Sequence, residues 1–313
     1  LQTVPPSLIN RDDTGAPKSA IFGGVPRQRV SSQSWKRAIR RYFEDNFDAQ
    51  QIGDRSKRLP EKIALRLEAA GLEQDEAIQR VYDLFKNVDR KIAFDKPNQN
   101  DDPDDKPSPY PRTSYLLFLS QQQIDRAVEE LLALDGEKPS KAAAKAILDT
   151  DHSVDMAMFG RMVADDAAYN VDASVQVAHA IGIHASTPDF DYFTAVDDLA
   201  EDGKETGAGM IGTVQMMSST MYRYATINFE GLKKNLDSTD AARLAVEHFI
   251  EAFVSSMPTG KINTFANQTL PELVYVAVRD TRPVSLVNAF EVPVDADQGA
   301  SRRKVAADRL AQE

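Results

Sequence analysis

"NRDDTGAPKSAIFGGVPRQRVSSQSWKRAIRRYF", residues 10–43, sets the reading of the whole chain. From Arg11 to Arg41 it carries eight basic side chains (Arg11, Lys18, Arg27, Arg29, Lys36, Arg37, Arg40 and Arg41) against Asp12 and Asp13 alone, in a protein of formal net charge −11. Its second half, "SSQSWKRAIRRYFEDNF", reads as a helix with Ser32 or Ser34 as N-cap. At about 100° per residue, Trp35, Ala38, Ile39, Tyr42 and Phe43 share one arc, and Lys36, Arg37, Arg40 and Arg41 share the other. The apolar arc belongs to a core. The basic arc can be a solvated face, but four like charges side by side repel, which favours an anionic partner. Before the helix, a Gly23-Gly24 turn leads into Arg27, Gln28, Arg29, Val30 and Ser31 in extended form. Guanidinium forks beside a glycine turn suit a groove that follows phosphates.

The 313 residues, 42% hydrophobic and 27% charged, suffice for a full core in one or two domains. Nothing approaches the roughly 20 apolar residues of a membrane helix, and the first residues do not resemble a signal peptide, so a cytoplasmic protein is expected. The chain opens on "LQTVPPSL" without an initiator Met, so a few preceding residues are expected to be missing. Cysteine is absent, which removes disulfides, thiolate metal sites and a Cys nucleophile. An acidic total argues against coating nucleic acid with the whole surface. It leaves room for one confined basic face, because exposed charges beyond a Debye length of roughly 8–10 Å are largely screened.

Further along, "LPEKIALRLEAAGLEQDEAIQRVYDLFKNV" predicts two helices, with Pro60 in a first turn and Gly71 at a C-terminal cap. Residues 96–112, with five prolines and four aspartates, read as a flexible surface loop. "SYLLFLS" (114–120) reads as a buried strand, followed by helices at about 121–135 and 139–149. "SVDMAMFGRM" (153–162) and "ASVQVAHAIGIH" (173–184) read as strands. Residues 187–209 hold Asp189, Asp191, Asp197, Asp198, Glu201, Asp202 and Glu205 against Lys204 alone. A strand over 210–229, interrupted or bent around Ser218-Ser219, a helix over 239–257 capped by Thr239, a strand over 272–279 and a helix over 301–312 complete the reading. Strands separated by helices, with long excursions, predict an α+β fold with insertions.

Catalytic signatures are scarce. His152, His179, His184 and His248 lack metal-ligand spacing, and His179 and His184 lie five apart, on opposite faces of one strand. Gly23-Gly24 and "GAGMIG" (207–212) match neither a phosphate-binding nor a dinucleotide loop, and no GxSxG elbow exists. Asp12-Asp13 is the one acid pair to weigh, and a turn or salt bridges to Arg11 and its neighbours account for it more readily than a metal-dependent site.

"LINRDDTGAPKSAIFGGVPRQRVSSQSWKRAIR" resembles the N-terminal signature of the CasC-type backbone subunit of Cascade, the type I-E CRISPR surveillance complex. "MAMFGRM", "VDASVQVAHAIGIH", "DFDYFTAVDDL", "MYRYATINFEGL" and "PVSLVNAFE" resemble that family in the same order, while about 45–150 and the residues after Glu291 match poorly. The resemblance implies an RRM-like (ferredoxin-like) palm with a helical finger insertion and an extended thumb. The corresponding spans are palm in 1–44, 151–186 and 221–313, finger in 45–150 and thumb in 187–220. It implies copies stacked head to tail along a CRISPR guide RNA held for pairing with a target DNA strand, beside other Cascade subunits, with no cofactor, no metal, no membrane and no catalysis.

Carried over by position, the implied guide contacts are Arg11, Lys18, Ser31, Gln33, Lys36, Arg37 and Arg40, then Arg27, Arg29 and Arg161, with Lys261 and Thr264 from "GKINTF". Met162 and Phe193 map to apolar residues that flank a displaced base, though a core could claim either. The family's later lysine cluster is missing from "EVPVDAD" (291–297). Two other readings stay open: an RNA-cleaving backbone subunit using Asp12 or Asp13, and a filament protein whose basic face meets a protein.

Overall fold

The computed structural model describes residues 1–94, 108–163, 166–195, 210–295 and 301–313. The described part of the proline–aspartate loop is therefore 108–112, and Asp197, Asp198, Glu201, Asp202 and Glu205 of the acidic stretch lie outside the described residues. The chain forms two compact units. One comprises Leu1–Tyr42, Val177–Thr226 and Phe249–Glu313; the other comprises Phe43–Gln176 and Ile227–His248. Residues 151–176 and 227–248 thus group with the span expected as finger, because the helix Val154–Phe159 packs on the strand pair of that unit.

The first unit is an antiparallel sheet. Strands β1 (Gln2–Ser7), β2 (Ser19–Phe22) and β3 (Val25–Val30) join two later ones, Ala180–Gly182 and Met210–Tyr222. Their spatial order is β1, Met210–Tyr222, Ala180–Gly182, β3, β2, and Asp189–Ala195 pairs with the far half of Met210–Tyr222. The strand expected to be interrupted or bent around Ser218-Ser219 is continuous from Met210 to Tyr222, and its pairing passes from Asp189–Ala195 to β1 between Met216 and Met217. Val4 faces Ser219 and Ser7 faces Met217, with a register shift between them at Pro5-Pro6, which have no N–H to donate. Beyond Met216 the strand continues into a two-stranded ribbon with Asp189–Ala195, whose residues are exposed.

Helix α1 (Ser32–Asn46) buries Trp35 and Ile39 in this unit, as the apolar arc predicts. Ser31, one residue ahead of the expected caps, starts it: its Oγ accepts from the Ser34 amide at 3.3 Å. The Arg223 guanidinium lies 3.7 Å from the Trp35 ring centroid and 4.4 Å from that of Phe253, and donates to Gln2 Oε1 and the Phe253 carbonyl. Burial pulls its pKa down to about 9, so the site is held by ring faces and neutral acceptors. Ile183, Tyr222, Phe290, Val294 and Ala306 form a further cluster that seats the helix Arg302–Gln312.

The second unit surrounds a short antiparallel pair, Gly53–Ser56 with Leu117–Ser120. Helices Leu59–Ala69, Gln74–Phe85, Gln121–Ala133 and Lys141–Leu148 pack Ile63, Leu67, Val81, Leu84, Ile124, Leu131 and Ile147 into one core with Leu119. Gly71, at φ +104°, ends the first of these, and Ser120 with Gln123 forms a capping box on the third.

Three further sequence expectations fail, each for a physical reason. The residues Val154–Phe159 form a helix and not a strand, because the buried Asp155 carboxylate accepts from Ser153 Oγ and from the amides of Met156 and Gly53, and so organises a helical first turn. Residues 272–279 carry strand-type side chains without a strand: beyond the amides of Glu272 and Leu273, which reach the Leu1 carbonyl, no ladder partner is present among the described residues, and Val274, Tyr275, Val276 and Val278 are exposed. The helix Thr239–Ser255 is capped by Ser238, whose Oγ accepts from the Ala241 amide, and not by Thr239.

Candidate nucleic-acid interface

The first unit gathers most of the sequence-nominated cations around the start of α1. Strand β3 pairs with Ala180–Gly182, Arg29 opposite Ile181 and Val30 opposite Ala180, which delivers His179 beside the β3–α1 junction. The Arg29 amide donates to the Lys18 carbonyl at 2.9 Å, setting Lys18 next to Arg29 across the β2–β3 hairpin. Asn10 ties the junction down, accepting from the Ser31 amide at 2.9 Å. Lys36, Arg37 and Arg40 follow along α1, where Lys36 and Arg40 are half-buried and Arg37 and Arg41 are exposed. Burial lowers the Lys36 pKa from its ordinary value. Helix start and cations together form a surface suited to anions.

His179 is a participant the sequence reading missed, having weighed it only as a metal ligand. Its Nδ1 lies 3.0 Å from Arg29 Nη1 and 3.4 Å from the Ser32 amide nitrogen. Both of those groups only donate, so Nδ1 accepts and carries no proton. His179 is exposed, and local desolvation at this contact first, then the positive charges of Arg29 and Lys18, hold the imidazole below its ordinary pKa. Only the long-range pairing of β3 with Ala180–Gly182 brings it here.

Ser31 lies in the same place but is buried and committed to capping the helix, and Gln33 is exposed one turn-start further on. Arg11 is exposed at the mouth of a tight hairpin, bridged to Pro17. Within that hairpin Asp12 Oδ1 accepts from the amides of Thr14 and Ala16 and from Thr14 Oγ1, so its carboxylate closes a turn. The described residues contain no group of three or more His, Asp or Glu side chains placed to share a metal ion. Lys261 and Thr264 are exposed on a short turn pressed against the end of β1's run: a Cβ on Gly260 would meet the Ile9 carbonyl oxygen at 2.2 Å, so only glycine permits the approach.

Two nominated arginines lie in the interior of their units. Arg27 is fully buried, and its guanidinium donates to the carbonyls of Phe22, Gly182, Phe290 and Glu291. It locks the 290–291 segment onto the sheet and presents nothing outward. Arg161, in the second unit, is also buried, ion-paired with Asp149 at 2.6 Å and donating to the carbonyls of Tyr169 and Leu148. Its neighbour Met162 is 79% exposed, so a core reading for it does not hold. Phe193 sits on the Asp189–Ala195 ribbon opposite Gly212, and a Cβ there would meet its ring at 2.3 Å. The ring is therefore laid on the bare backbone of Gly212, which leaves it 37% exposed.

The chain belongs to the CT1975-like protein family, whose model matches residues 1–313, and the resemblance to Cascade backbone subunits carried by its motifs holds at that level. Among solved structures, a chain of a CRISPR RNA-guided surveillance complex in its pre-nicking form is 35% identical, with a TM-score of 0.84, covering 99% of this chain and 85% of that one. A chain of another CRISPR RNA-guided surveillance complex is 31% identical, with a TM-score of 0.71, covering 99% and 83%. No curated protein matches.

Proposed function

We propose that this protein is the non-catalytic backbone subunit of a type I-E Cascade, polymerising head to tail along CRISPR guide RNA in the cytoplasm and holding it for pairing with target DNA beside other subunits. In this reading the sheet unit is the RRM-like palm and the ribbon at Asp189–Ala195 is the base of the thumb, with Met162 and Phe193 as the apolar flanks of a displaced base. The observation that carries it is the clustering of Lys18, Arg29 and the α1 cations around one helix start, where neutral acceptors and not carboxylates meet Arg29. Gripping phosphates there leaves base edges free to pair. Arg11, Lys261, Thr264 and Gln33 are exposed extensions of the track.

The test is whether the purified protein carries RNA of uniform length, read by absorbance ratio and denaturing gel. Protein that purifies free of RNA and fails to bind a synthetic guide at low salt would overturn the assignment. The RNA-cleaving alternative would use Asp12 or Asp13; the Asp12 carboxylate is engaged by three donors of its own turn, which supports the scaffold reading.

A further inference from the structure

The proposed RNA track contains a detail that guide binding alone does not explain. A positively charged guanidinium and the first amide of a helix converge on one atom, His179 Nδ1. Both donors are of the kind that a phosphate oxygen takes, and the dipole of α1 favours negative charge at this point. In the free protein that place is filled by a neutral lone pair. We propose that His179 is a stand-in for a backbone phosphate: its Nδ1 holds the Arg29 guanidinium and the Ser32 amide in the geometry a phosphate oxygen will use, and it yields them by taking up a proton when RNA arrives. The proposal rests on the RNA-binding reading above and adds a proton to it.

The chemistry follows from what the imidazole can do in each state. Neutral, with its proton on Nε2, it accepts at Nδ1 and satisfies both donors. Protonated, both nitrogens donate, and neither can remain on Arg29 or Ser32. The charged groups that face it are Arg29 from β3 and Lys18 from the residue before β2, while α1 presents the Ser32 amide. All three disfavour a cation in the free protein. A phosphate placed between them reverses the balance, because it neutralises Arg29 and Lys18 and accepts from the new Nδ1–H. The RNA-bound state therefore binds more protons than the free state, and affinity must rise as pH falls through the window between the two pKa values.

The experiment measures binding of a fluorescein-labelled 32-nucleotide single-stranded RNA by anisotropy between pH 5.5 and 8 at fixed salt, for the wild type and for His179→Asn. The asparagine amide oxygen keeps an acceptor for Arg29 and Ser32 but cannot titrate. The wild type should tighten by up to about tenfold per pH unit within the window, the limit for one linked proton, while His179→Asn should be flatter by that amount. Equal pH slopes for the two proteins, with binding intact, would overturn the proposal and leave the RNA reading standing. Absence of RNA binding by the wild type would overturn both. An independent readout uses ¹⁵N-labelled imidazole shifts of the free protein at pH 7. The His179 resonance, assigned by its loss in His179→Asn, should show a bare Nδ1 and a protonated Nε2. A proton on Nδ1 would overturn the stand-in whatever the RNA does.

Discussion

Several cations of the two units lean on different partners, although Arg303 of the first unit also faces Glu272 at 3.6 Å and Arg161 of the second also donates to carbonyls. In the second, cations face carboxylates: Arg58 pairs with Glu61, Lys62 with Asp54, Arg66 with Asp125, Arg80 with Glu76, Arg126 with Asp151, Lys138 with Asp83 and Lys141 with Asp166. In the first, Arg27, Arg29 and Arg223 donate to carbonyl oxygens, an amide oxygen and an imidazole. A cation matched to a carboxylate projects little field beyond a few ångströms, whereas one seated on neutral acceptors keeps its charge. The basic surplus between Arg11 and Arg41 therefore matters less than what each guanidinium and ammonium leans on. Where it leans on carbonyls from all sides, as Arg27 does, the charge is structural; where it leans on them from one side, as Arg29 does, it is available.

Removing a fully enclosed arginine should break the comparison hardest. Arg161→Met removes the buried guanidinium that lies 2.6 Å from the half-buried Asp149 and strands the carbonyls of Tyr169 and Leu148, at about 1–3 kcal/mol each where they stay dry. Denaturant unfolding should show that loss. Arg27→Met should fall in the same range, since it strands the carbonyls of Gly182, Phe290 and Glu291 at about 1–3 kcal/mol each where they stay dry. Either variant that unfolds at the wild-type midpoint would remove the structural role assigned here.

Next in size is the double change Lys36→Glu with Arg40→Glu, two half-buried cations of α1. Guide affinity should fall while the unfolding midpoint holds. The dependence of log affinity on log salt should become shallower by about 0.7 per lost phosphate contact on a single strand. Unchanged slope and affinity would remove α1 from the track.

In the second unit, Arg58→Ala deletes an exposed pair with Glu61 at 2.6 Å. Exposed pairs of this kind are worth about 0.2–1 kcal/mol, and less in salt. Unfolding free energy should shift within that range, and RNA affinity should not move. A drop in affinity matching that of the α1 variant would mean the carboxylate-matched cations also face the guide.

How far the sequence disclosed this arrangement varies with the range of the interactions involved. Helix α1 was legible because its apolar and basic arcs separate at one helical period, and the Leu59–Ala69 boundaries because Pro60 and Gly71 act locally. The family motifs made the α+β class and the α1 cations readable together. The Val154–Phe159 helix was not legible, since "VDMAMF" satisfies both periods over six residues and the decision comes from Gly53, a hundred residues away. Val274–Val278 has strand composition, which says nothing about whether a ladder partner exists. Arg27 and Arg161 look like surface cations by type alone; the carbonyls that enclose them come from segments far apart in sequence. His179 was invisible as an interface residue for the same reason, because register between β3 and Ala180–Gly182 places it.

The smallest effect is expected at Asp12, and it separates the scaffold from the nuclease reading. The Thr14 hydroxyl first, then the amides of Ala16, Thr14 and Gly15, hold the Asp12 carboxyl below its ordinary pKa. A depressed carboxyl contributes stability above its unfolded pKa and loses it as pH falls through the folded one, so any contribution here is complete at neutral pH and fades only in acid. The side chain is exposed, which keeps that contribution slight. Asp12→Ala should loosen the 12–16 turn, detectable as faster amide exchange at Thr14 and Ala16, and leave the unfolding midpoint nearly in place. A carboxylate with three donors on Oδ1 is a poor metal ligand through that atom, and the described residues bring no His, Asp or Glu cluster to help it. The assembled complex, incubated with RNA complementary to its guide and Mg²⁺, should therefore leave that RNA intact, and Asp12→Ala and Asp13→Ala should change nothing in the gel. Magnesium-dependent cleavage at regular spacing, abolished by either substitution, would make the turn a catalytic loop and the protein an enzyme.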